Sequence, residues 1–286
     1  MELEQIDCPV CGPSQTSLWL DDHKPTRYLR CKKCATVFAS PRLAQKVRHS
    51  SVEIAWDYSA DLLAREALRL PALKQEAEYI QQHVQGGRLL DVGCSTGDFF
   101  KFFPPPAWER YGVELSASAA EYSARTHKAQ VMAGTLRSAN WPVKYFDVIS
   151  MIDMFYYMDD PRADLAEIRR ILKPNGMVAI EITGQAYMFF RSRGPVALLM
   201  DGRWCRLSSD SHLYWFKPAG LKQLLENNGF QPVAWHVLPS PVRSDRFSDF
   251  VSYTYYRLFS ALAGRSMSVM NWAPKYLCLA RPIDHS

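Results

Sequence analysis

The sequence lacks the apolar segments that secreted and membrane-spanning proteins carry. Its 286 residues contain no apolar run near the length that crosses a bilayer, about 18 residues, and no apolar stretch behind basic residues at the start. We therefore expect a cytoplasmic protein without a transmembrane segment. A large excess of one charge is also missing. The net charge of +5 is too small and too dispersed to indicate a nucleic-acid partner.

What is present is an ordinary globular composition with an unusual use of cysteine. Apolar residues make up 48% and charged residues 22%, and the length suffices for one α/β domain with a small accessory unit. Four of the seven cysteines fall into two pairs. This arrangement favours a metal site in a reducing compartment over a disulfide framework.

The two cysteine pairs have the spacing of a zinc ribbon. Cys8 and Cys11 form the first CxxC turn, and Cys31 and Cys34 form the second after 19 intervening residues. Four thiolates close a tetrahedral site, so the predicted zinc is structural. We predict a ribbon over residues 1–40 that needs its metal to fold, and expect chelation to unfold this part alone. A redox CxxC and incidental thiols remain the alternatives.

The central stretch of the chain lies over residues 88–100. Its apolar start, ending at Asp91, is typical of a buried parallel strand, and Gly93 and Gly97 follow in a turn that a ligand can approach closely. An apolar stretch then predicts a first crossover helix that Pro104 ends. The start of such a helix offers unpaired N–H groups to a polar ligand.

A second predicted strand ends at Glu114, 23 positions after Asp91. In nucleotide-binding βαβ units an acid about 20 residues further on accepts hydrogen bonds from ribose hydroxyls. A solvated strand end is the alternative for Glu114 taken alone. Together with the glycine turn before it, the acid favours a nucleoside ligand.

Residues 90–97, Leu-Asp-Val-Gly-Cys-Ser-Thr-Gly, resemble motif I (DxGxGxG) of the class I S-adenosylmethionine (SAM) dependent methyltransferases. Ser95 stands where the motif has its middle glycine. The resemblance continues in the fourth-strand pattern at 145–153 and in Leu-x-Glu-Ile-x-Arg-x-Leu-Lys-Pro-x-Gly at 165–176. A GxGxxG pattern of nicotinamide enzymes is absent. The resemblance implies an α/β fold with a Rossmann-like seven-stranded sheet flanked by helices over residues 86–286.

The resemblance also implies which residues hold the cofactor. Motif I, the strand-two acid and the ends of strands three and four supply them: Asp91, Gly93, Cys94, Ser95, Gly97, Glu114, Leu115, Thr135, Leu136 and Asp153. Between the ribbon and the domain, residues 41–85 are predicted as a basic linker up to about Ser50, followed by helices broken at Pro71. In the family such helices cover the cofactor cleft, which would bring Tyr58 to its mouth.

Three stretches depart from simple strand and helix alternation. Residues 183–211 are predicted as an insertion at the ligand-binding edge of the sheet. The pattern from His212 to Phe230 resembles methyltransferases that act on small molecules, with last strands at 231–237 and 276–280. The amphipathic segment 247–270 could be a lid, the contact of a homodimer, a membrane-facing surface or ordinary packing.

The catalytic residues are the weakest part of the resemblance. Tyr157 stands where family members have a histidine. An ordinary tyrosine is a poor base at neutral pH, so Tyr157 is a candidate catalytic residue that orients the acceptor. His212 is the candidate general base, with a scaffold role as its alternative. Arg203 is a candidate partner for an anionic substrate.

Three functions follow from these residues. The first is SAM-dependent methylation of a small molecule, such as a carbohydrate or natural product. The second is methylation of rRNA or tRNA, with the ribbon docking the nucleic acid. The third is a non-catalytic SAM-fold binding protein.

Overall fold

The computed structural model describes residues 2–21, 25–55, 60–195, 198, 212–238, 254, 256–257 and 266–283. Their strands are β1 Leu3–Glu4, β2 Thr16–Leu20, β3 Tyr28–Cys31, β4 Val37–Ala39, β5 Arg42–Leu43, β6 Gly87–Val92, β7 Trp108–Glu114, β8 Gln130–Ala133, β9 Phe146–Met151, β10 Leu172–Thr183, β11 Tyr214–Trp215, β12 Phe230–Leu238 and β13 Lys275–Pro282. The helices are α1 Gln45–Ala55, α2 Ala60–Ala67, α3 Leu70–Gln81, α4 Ala117–His127, α5 Pro161–Ile171, α6 Gln185–Arg191, α7 Pro218–Asn227 and α8 Met267–Met270. In this part of the chain no helix is long and apolar enough to cross a membrane.

A seven-stranded sheet forms the centre of the molecule, as predicted. Its order is β12-β13-β10-β9-β6-β7-β8. The five strands from β10 to β8 run parallel, and β13 pairs antiparallel with β10 and with β12. Strands β6 and β9 are buried on both faces over most of their length, which accounts for consecutive apolar residues such as Leu89-Leu90 and Val148-Ile149. The carboxyl ends of the parallel strands therefore meet along one edge of the sheet.

Two helices that follow strand ends begin with the capping residues the sequence supplies. Ser116 caps α4 by accepting a hydrogen bond from the backbone of Ala119, and Asp160 caps α5 just before Pro161. After β6, however, the predicted crossover helix is wrong. A 3₁₀ helix, Asp98–Phe102, takes its place, because the prolines from Pro104 leave too few residues for an α-helix.

The predicted ribbon over residues 1–40 does not form a sheet of its own. Strands β2, β3 and β4 form one sheet together with β11, which comes from the far end of the chain. Buried ribbon residues such as Val10 and Phe38 belong to the same hydrophobic cluster as Ile149 and Leu165 of the methyltransferase-like domain. The ribbon is thus packed into the domain core.

The predicted linker from Pro41 to Ser50 is wrong. This segment contains β5 and the start of α1. It is ordered because Arg42 is buried and donates to Glu4, to the hydroxyl of Tyr214 and to the carbonyl of Asp159, each at 2.7 Å. Three such hydrogen bonds fix the segment against the domain.

Strand β10 is the longest of the described strands and runs from Leu172 to Thr183 across an irregular pairing with β9. The last two strands agree with the prediction. In the predicted insertion, residues 185–191 form α6. Residues 201–211 with Arg203, the position of Tyr58, and most of 247–270 lie outside the described residues.

Candidate functional site

A cavity of about 630 Å³ opens at the carboxyl edge of the parallel strands. Ligand pockets in proteins commonly measure about 300–1,000 Å³. Part of its wall comes from the ends of β6, β7, β8 and β9: Val92, Gly93, Ser95, Val113, Glu114, Leu115, Gly134, Thr135, Leu136, Ile152, Asp153 and Met154. The rest of the wall comes from the other elements: Thr26, Arg42, Leu43, Arg48, His49, Glu66, Arg69, Arg137, Tyr157, Met158, Asp159, Asp164 and Leu213.

The turn after β6 brings backbone to the cavity surface. Gly93 has φ +72°, and a Cβ there would lie 2.7 Å from the side chain of Met154. Gly97 has φ +78° and would place a Cβ 2.1 Å from the hydroxyl of Ser123. Larger residues at either position would be strained and would collide with their neighbours. The two glycines therefore set the close turn that leaves the end of β6 open to a ligand.

Glu114 is the buried acid at this end of the cavity. One carboxylate oxygen accepts a hydrogen bond from the backbone N–H of Ser95 at 3.0 Å, and the other accepts one from Ser116 at 3.1 Å. Burial raises the pKa of Glu114, while these hydrogen bonds lower it. Each oxygen keeps a further lone pair for a donor in the cavity. The acid is thus fixed in place by the backbone and can still accept hydrogen bonds from a ligand hydroxyl.

The predicted cofactor residues divide into two groups. The cavity wall contains Gly93, Ser95, Glu114, Leu115, Thr135, Leu136 and Asp153. Three others lie behind it. Asp91 is buried and accepts a hydrogen bond from Ser150 at 2.7 Å, and burial raises its pKa to about 7. Cys94 and Gly97 face the side chain of Ser123 on α4. These three residues shape the turn without lining the cavity.

Asp153 belongs to a cluster of buried charges that sequence reasoning missed. Arg69 donates to it at 3.0 Å, Lys275 contacts it, and its backbone N–H donates to Glu181 at 2.9 Å. Burial alone would raise the pKa of Asp153, but Lys275 and Arg69 hold it below the ordinary value. Burial and the nearby Asp153 raise the pKa of Glu181 to about 8. Glu76, also buried, carries an oxygen without a hydrogen-bond partner.

The part of the cavity wall outside the strand ends contains a histidine and aspartate pair. Nε2 of His49 lies 2.7 Å from a carboxylate oxygen of Asp159. The other oxygen of Asp159 contacts Arg48, which also pairs with Glu4 at 3.1 Å. His49 and Asp159 are 110 positions apart in the sequence, which is why no local motif indicated the pair. Both residues line the cavity.

The two predicted catalytic residues occupy different positions. Tyr157 lines the cavity, and partial burial raises its pKa to about 12, so its hydroxyl stays protonated at neutral pH. His212 stacks between Tyr157 and Trp215 and is not part of the cavity wall. Burial lowers the pKa of His212 to about 4, and its Nδ1 is buried without a hydrogen-bond partner among the residues that the structure describes. The surroundings of His212 are those of a packing residue.

The four predicted metal ligands come together. The sulfur atoms of Cys8, Cys11, Cys31 and Cys34 all lie within 4.8 Å of one another. Four thiols at this separation fit a tetrahedral zinc ion, whose Zn–S bonds measure about 2.3 Å. None of the cysteines in the described residues forms a disulfide. The arrangement therefore fits a closed structural metal site.

Comparison with known proteins agrees with the fold. The model of a methyltransferase-domain family matches residues 58–234, more than half of the chain. An uncharacterized methyltransferase of Schizosaccharomyces pombe is 31% identical over 105 residues, which cover 32% of this chain and 38% of that protein. An uncharacterized protein of Methanocaldococcus jannaschii is 27% identical over 111 residues, which cover 38% of this chain and 51% of that protein. The matched regions thus span about half or less of either relative.

A solved structure extends the likeness to nearly the whole chain. It is the 1,6-didemethyltoxoflavin-N1-methyltransferase of Burkholderia thailandensis with bound 1,6-didemethyltoxoflavin and S-adenosylhomocysteine. The TM-score is 0.57 at 15% identity, with 95% of this chain and 100% of that chain covered. At this identity the likeness concerns the fold. Sheet order and cavity position define the fold of a class I SAM-dependent methyltransferase, and the family match shows that the chain belongs to the methyltransferase-domain family.

Proposed function

We propose that this protein transfers the methyl group of SAM to a small, uncharged acceptor. The observation that carries the proposal is the buried carboxylate of Glu114 beside the glycine turn, at the end of the strand next to β6. Two backbone N–H groups fix its position, and its remaining lone pairs suit the two hydroxyls of a ribose. An acid so placed recognises a nucleoside without needing a phosphate-binding loop.

The rest of the cavity suits the other parts of SAM. Leu115 and Leu136 offer apolar surface for the adenine ring beyond the ribose. Arg69 and Asp153, side by side in the wall, provide a cation for the carboxylate and an anion for the ammonium group of the amino-acid part. SAM supplies an already activated methyl group, so the chain has mainly to orient the acceptor and exclude water.

We take the strand-end part of the wall as the cofactor end, and the part with Arg42, Arg48, His49, Tyr157 and Asp159 as the acceptor end. The described residues of the acceptor end are charge-balanced, which favours an uncharged acceptor. Each nitrogen of the Arg42 guanidinium donates to a partner in the protein. Arg48 pairs with Glu4 and Asp159, and Arg137 pairs with Asp164. A phosphorylated sugar or an RNA backbone would have to displace these partners. The Burkholderia thailandensis structure of the same fold holds a small-molecule acceptor, which supports this choice of substrate class.

We propose that the cysteine cluster holds a structural Zn²⁺. Cys8, Cys11, Cys31 and Cys34 would fill all of its positions, so the ion would take no part in the chemistry. It would hold the ribbon and, through it, the segment of Arg42 to His49 that forms part of the cavity wall.

The test of the proposal is the affinity for S-adenosylhomocysteine, measured by calorimetry on the wild type and on Glu114→Ala. We expect wild-type binding and a loss of about 100-fold in the variant, because charged hydrogen bonds contribute about 1.5–3 kcal/mol each. The matched control is Glu109→Ala, since Glu109 is an exposed acid on the same strand β7. Equal affinities in Glu114→Ala and the wild type would contradict the proposal.

A further inference from the structure

The pair of His49 and Asp159 has the geometry of an oriented general base. Asp159 accepts from Nε2 of His49 at 2.7 Å, so Nε2 carries the proton and Nδ1 keeps its lone pair. No described residue forms a hydrogen bond with Nδ1, and this atom is not among the buried polar atoms that lack a partner. The imidazole therefore offers an available lone pair from the wall of the cavity.

Asp159 is itself held firmly in place. Arg48 contacts the carboxylate oxygen that His49 does not use, and Arg42 donates to the backbone carbonyl of Asp159 at 2.7 Å. The hydroxyl of Tyr214 donates to the same carbonyl at 3.1 Å. A carboxylate fixed in this way sets the tautomer and the orientation of the imidazole, and stabilises the charge that the ring gains with a proton.

The other histidine near the cavity does not offer the same chemistry. His212 lies behind Tyr157, outside the cavity wall, and its Nδ1 is enclosed. The hydroxyl of Tyr157 stays protonated at neutral pH. Of these two histidines, His49 is thus the one whose side chain lines the cavity and has an available basic nitrogen.

We propose that His49, oriented by Asp159, is the general base of the acceptor site and that the acceptor is a neutral molecule with an O–H or acidic N–H group. The inference rests on the proposed methyl transfer. The X–H bond of the acceptor breaks and its proton passes to Nδ1 of His49. The electron pair on X forms the new bond to the methyl carbon, and the pair of the broken S–C bond stays on sulfur. The imidazolium then releases its proton to water.

An affinity label tests the position of Nδ1 without knowledge of the acceptor. In 5′-bromoacetamido-5′-deoxyadenosine the electrophilic carbon lies two bonds beyond the 5′ nitrogen, where the acceptor atom would lie relative to sulfur. We expect the label to alkylate His49 of the full-length, metal-loaded protein, as mapped by peptide mass spectrometry. The reaction should be saturable, blocked by excess S-adenosylhomocysteine and at least about 10-fold faster than the background at His83, an exposed histidine.

Two variants distinguish a general base at position 49 from a residue that only stabilises α1. His49→Gln should bind S-adenosylhomocysteine with wild-type affinity and lose the protectable label. Asp159→Asn should keep the label but react several-fold more slowly, because the ring loses its orienting carboxylate. Labelling of His49 at the His83 rate, or protectable labelling at another residue, would overturn the inference. A wild type that does not bind S-adenosylhomocysteine would instead contradict the proposed function.

Discussion

The two ends of the cavity are built in different ways. The proposed cofactor end comes from the ends of neighbouring parallel strands, with Gly93 and Glu114 only 21 positions apart. The acceptor end joins residues that are far apart in the sequence. They are Thr26 of the ribbon, the segment from Arg42 to His49, and Asp159 of the domain. A fixed local motif suits a cofactor that many relatives share. Long-range assembly lets the acceptor wall change without disturbing that motif.

The largest expected effect is that of metal removal, which tests whether the acceptor wall depends on the ribbon. Arg162 of α5 donates to the carbonyl of Pro9 at 2.7 Å, and Gln185 donates to that of Ala35 at 3.1 Å, so the domain holds both cysteine turns. We expect chelation to destabilise the protein by several kcal/mol, since structural zinc contributes about 10–16 kcal/mol in zinc-finger peptides. Thermal unfolding measures the loss.

Hydrogen exchange locates that loss. Because β11 pairs with β4 of the ribbon, chelation should deprotect residues 212–216 and 156–164 as well as the first 40. This outcome would contradict the expectation from the sequence that chelation unfolds residues 1–40 alone. Deprotection confined to residues 1–40 would show instead that the acceptor wall stands without the metal.

The next largest effect concerns the amino-acid part of the cofactor. Arg69→Met should lower the affinity for S-adenosylhomocysteine about 10- to 30-fold, because one charged hydrogen-bonded contact is lost. It should leave the affinity for 5′-methylthioadenosine unchanged, because that ligand lacks the amino-acid part. Calorimetry with both ligands measures the difference, and Arg88→Met, at an exposed pair with Glu109, is the control. An equal loss of affinity for both ligands would mean that Arg69 only supports the fold.

A smaller effect should appear in the pH dependence of stability. The folded-state pKa of Glu181, about 8, lies above its unfolded value, so its contribution to stability is full below about pH 4.5 and is lost as the pH rises through 8. Glu181→Gln removes this titration. The unfolding free energy of the variant minus that of the wild type should rise by up to about 1.4 kcal/mol per pH unit in this range. Urea unfolding at several pH values measures it, and a constant difference would contradict the raised pKa.

The smallest effect is expected at His212. His212→Phe should change the unfolding free energy by less than about 1 kcal/mol, because the ring can keep its stacking while a buried, unpartnered nitrogen is removed. Binding of S-adenosylhomocysteine should stay within about twofold. A large loss of affinity for S-adenosylhomocysteine would show that His212 contributes to the ligand site.

The sequence predicted the sheet because it depends on local patterns, and the residues of the proposed cofactor end come from the same patterns. The apolar strands, the glycine turn and the acid of Glu114 lie within short stretches whose spacing carries the information. Asp153 was predicted, but its partners Arg69 and Lys275 were not, since 84 and 122 positions separate them from it. His49 escaped notice for the same reason. Its segment appears in the sequence as a basic linker, and only the contacts with Glu4 and Asp159 give it structure.

The proposed function requires that a nucleoside lies against the turn after β6 with its ribose held by Glu114. A crystal structure with S-adenosylhomocysteine tests it directly. We expect the ribose hydroxyls about 2.6–3.0 Å from the two carboxylate oxygens of Glu114. A ligand bound elsewhere, or a ribose that makes no contact with Glu114, would contradict the account.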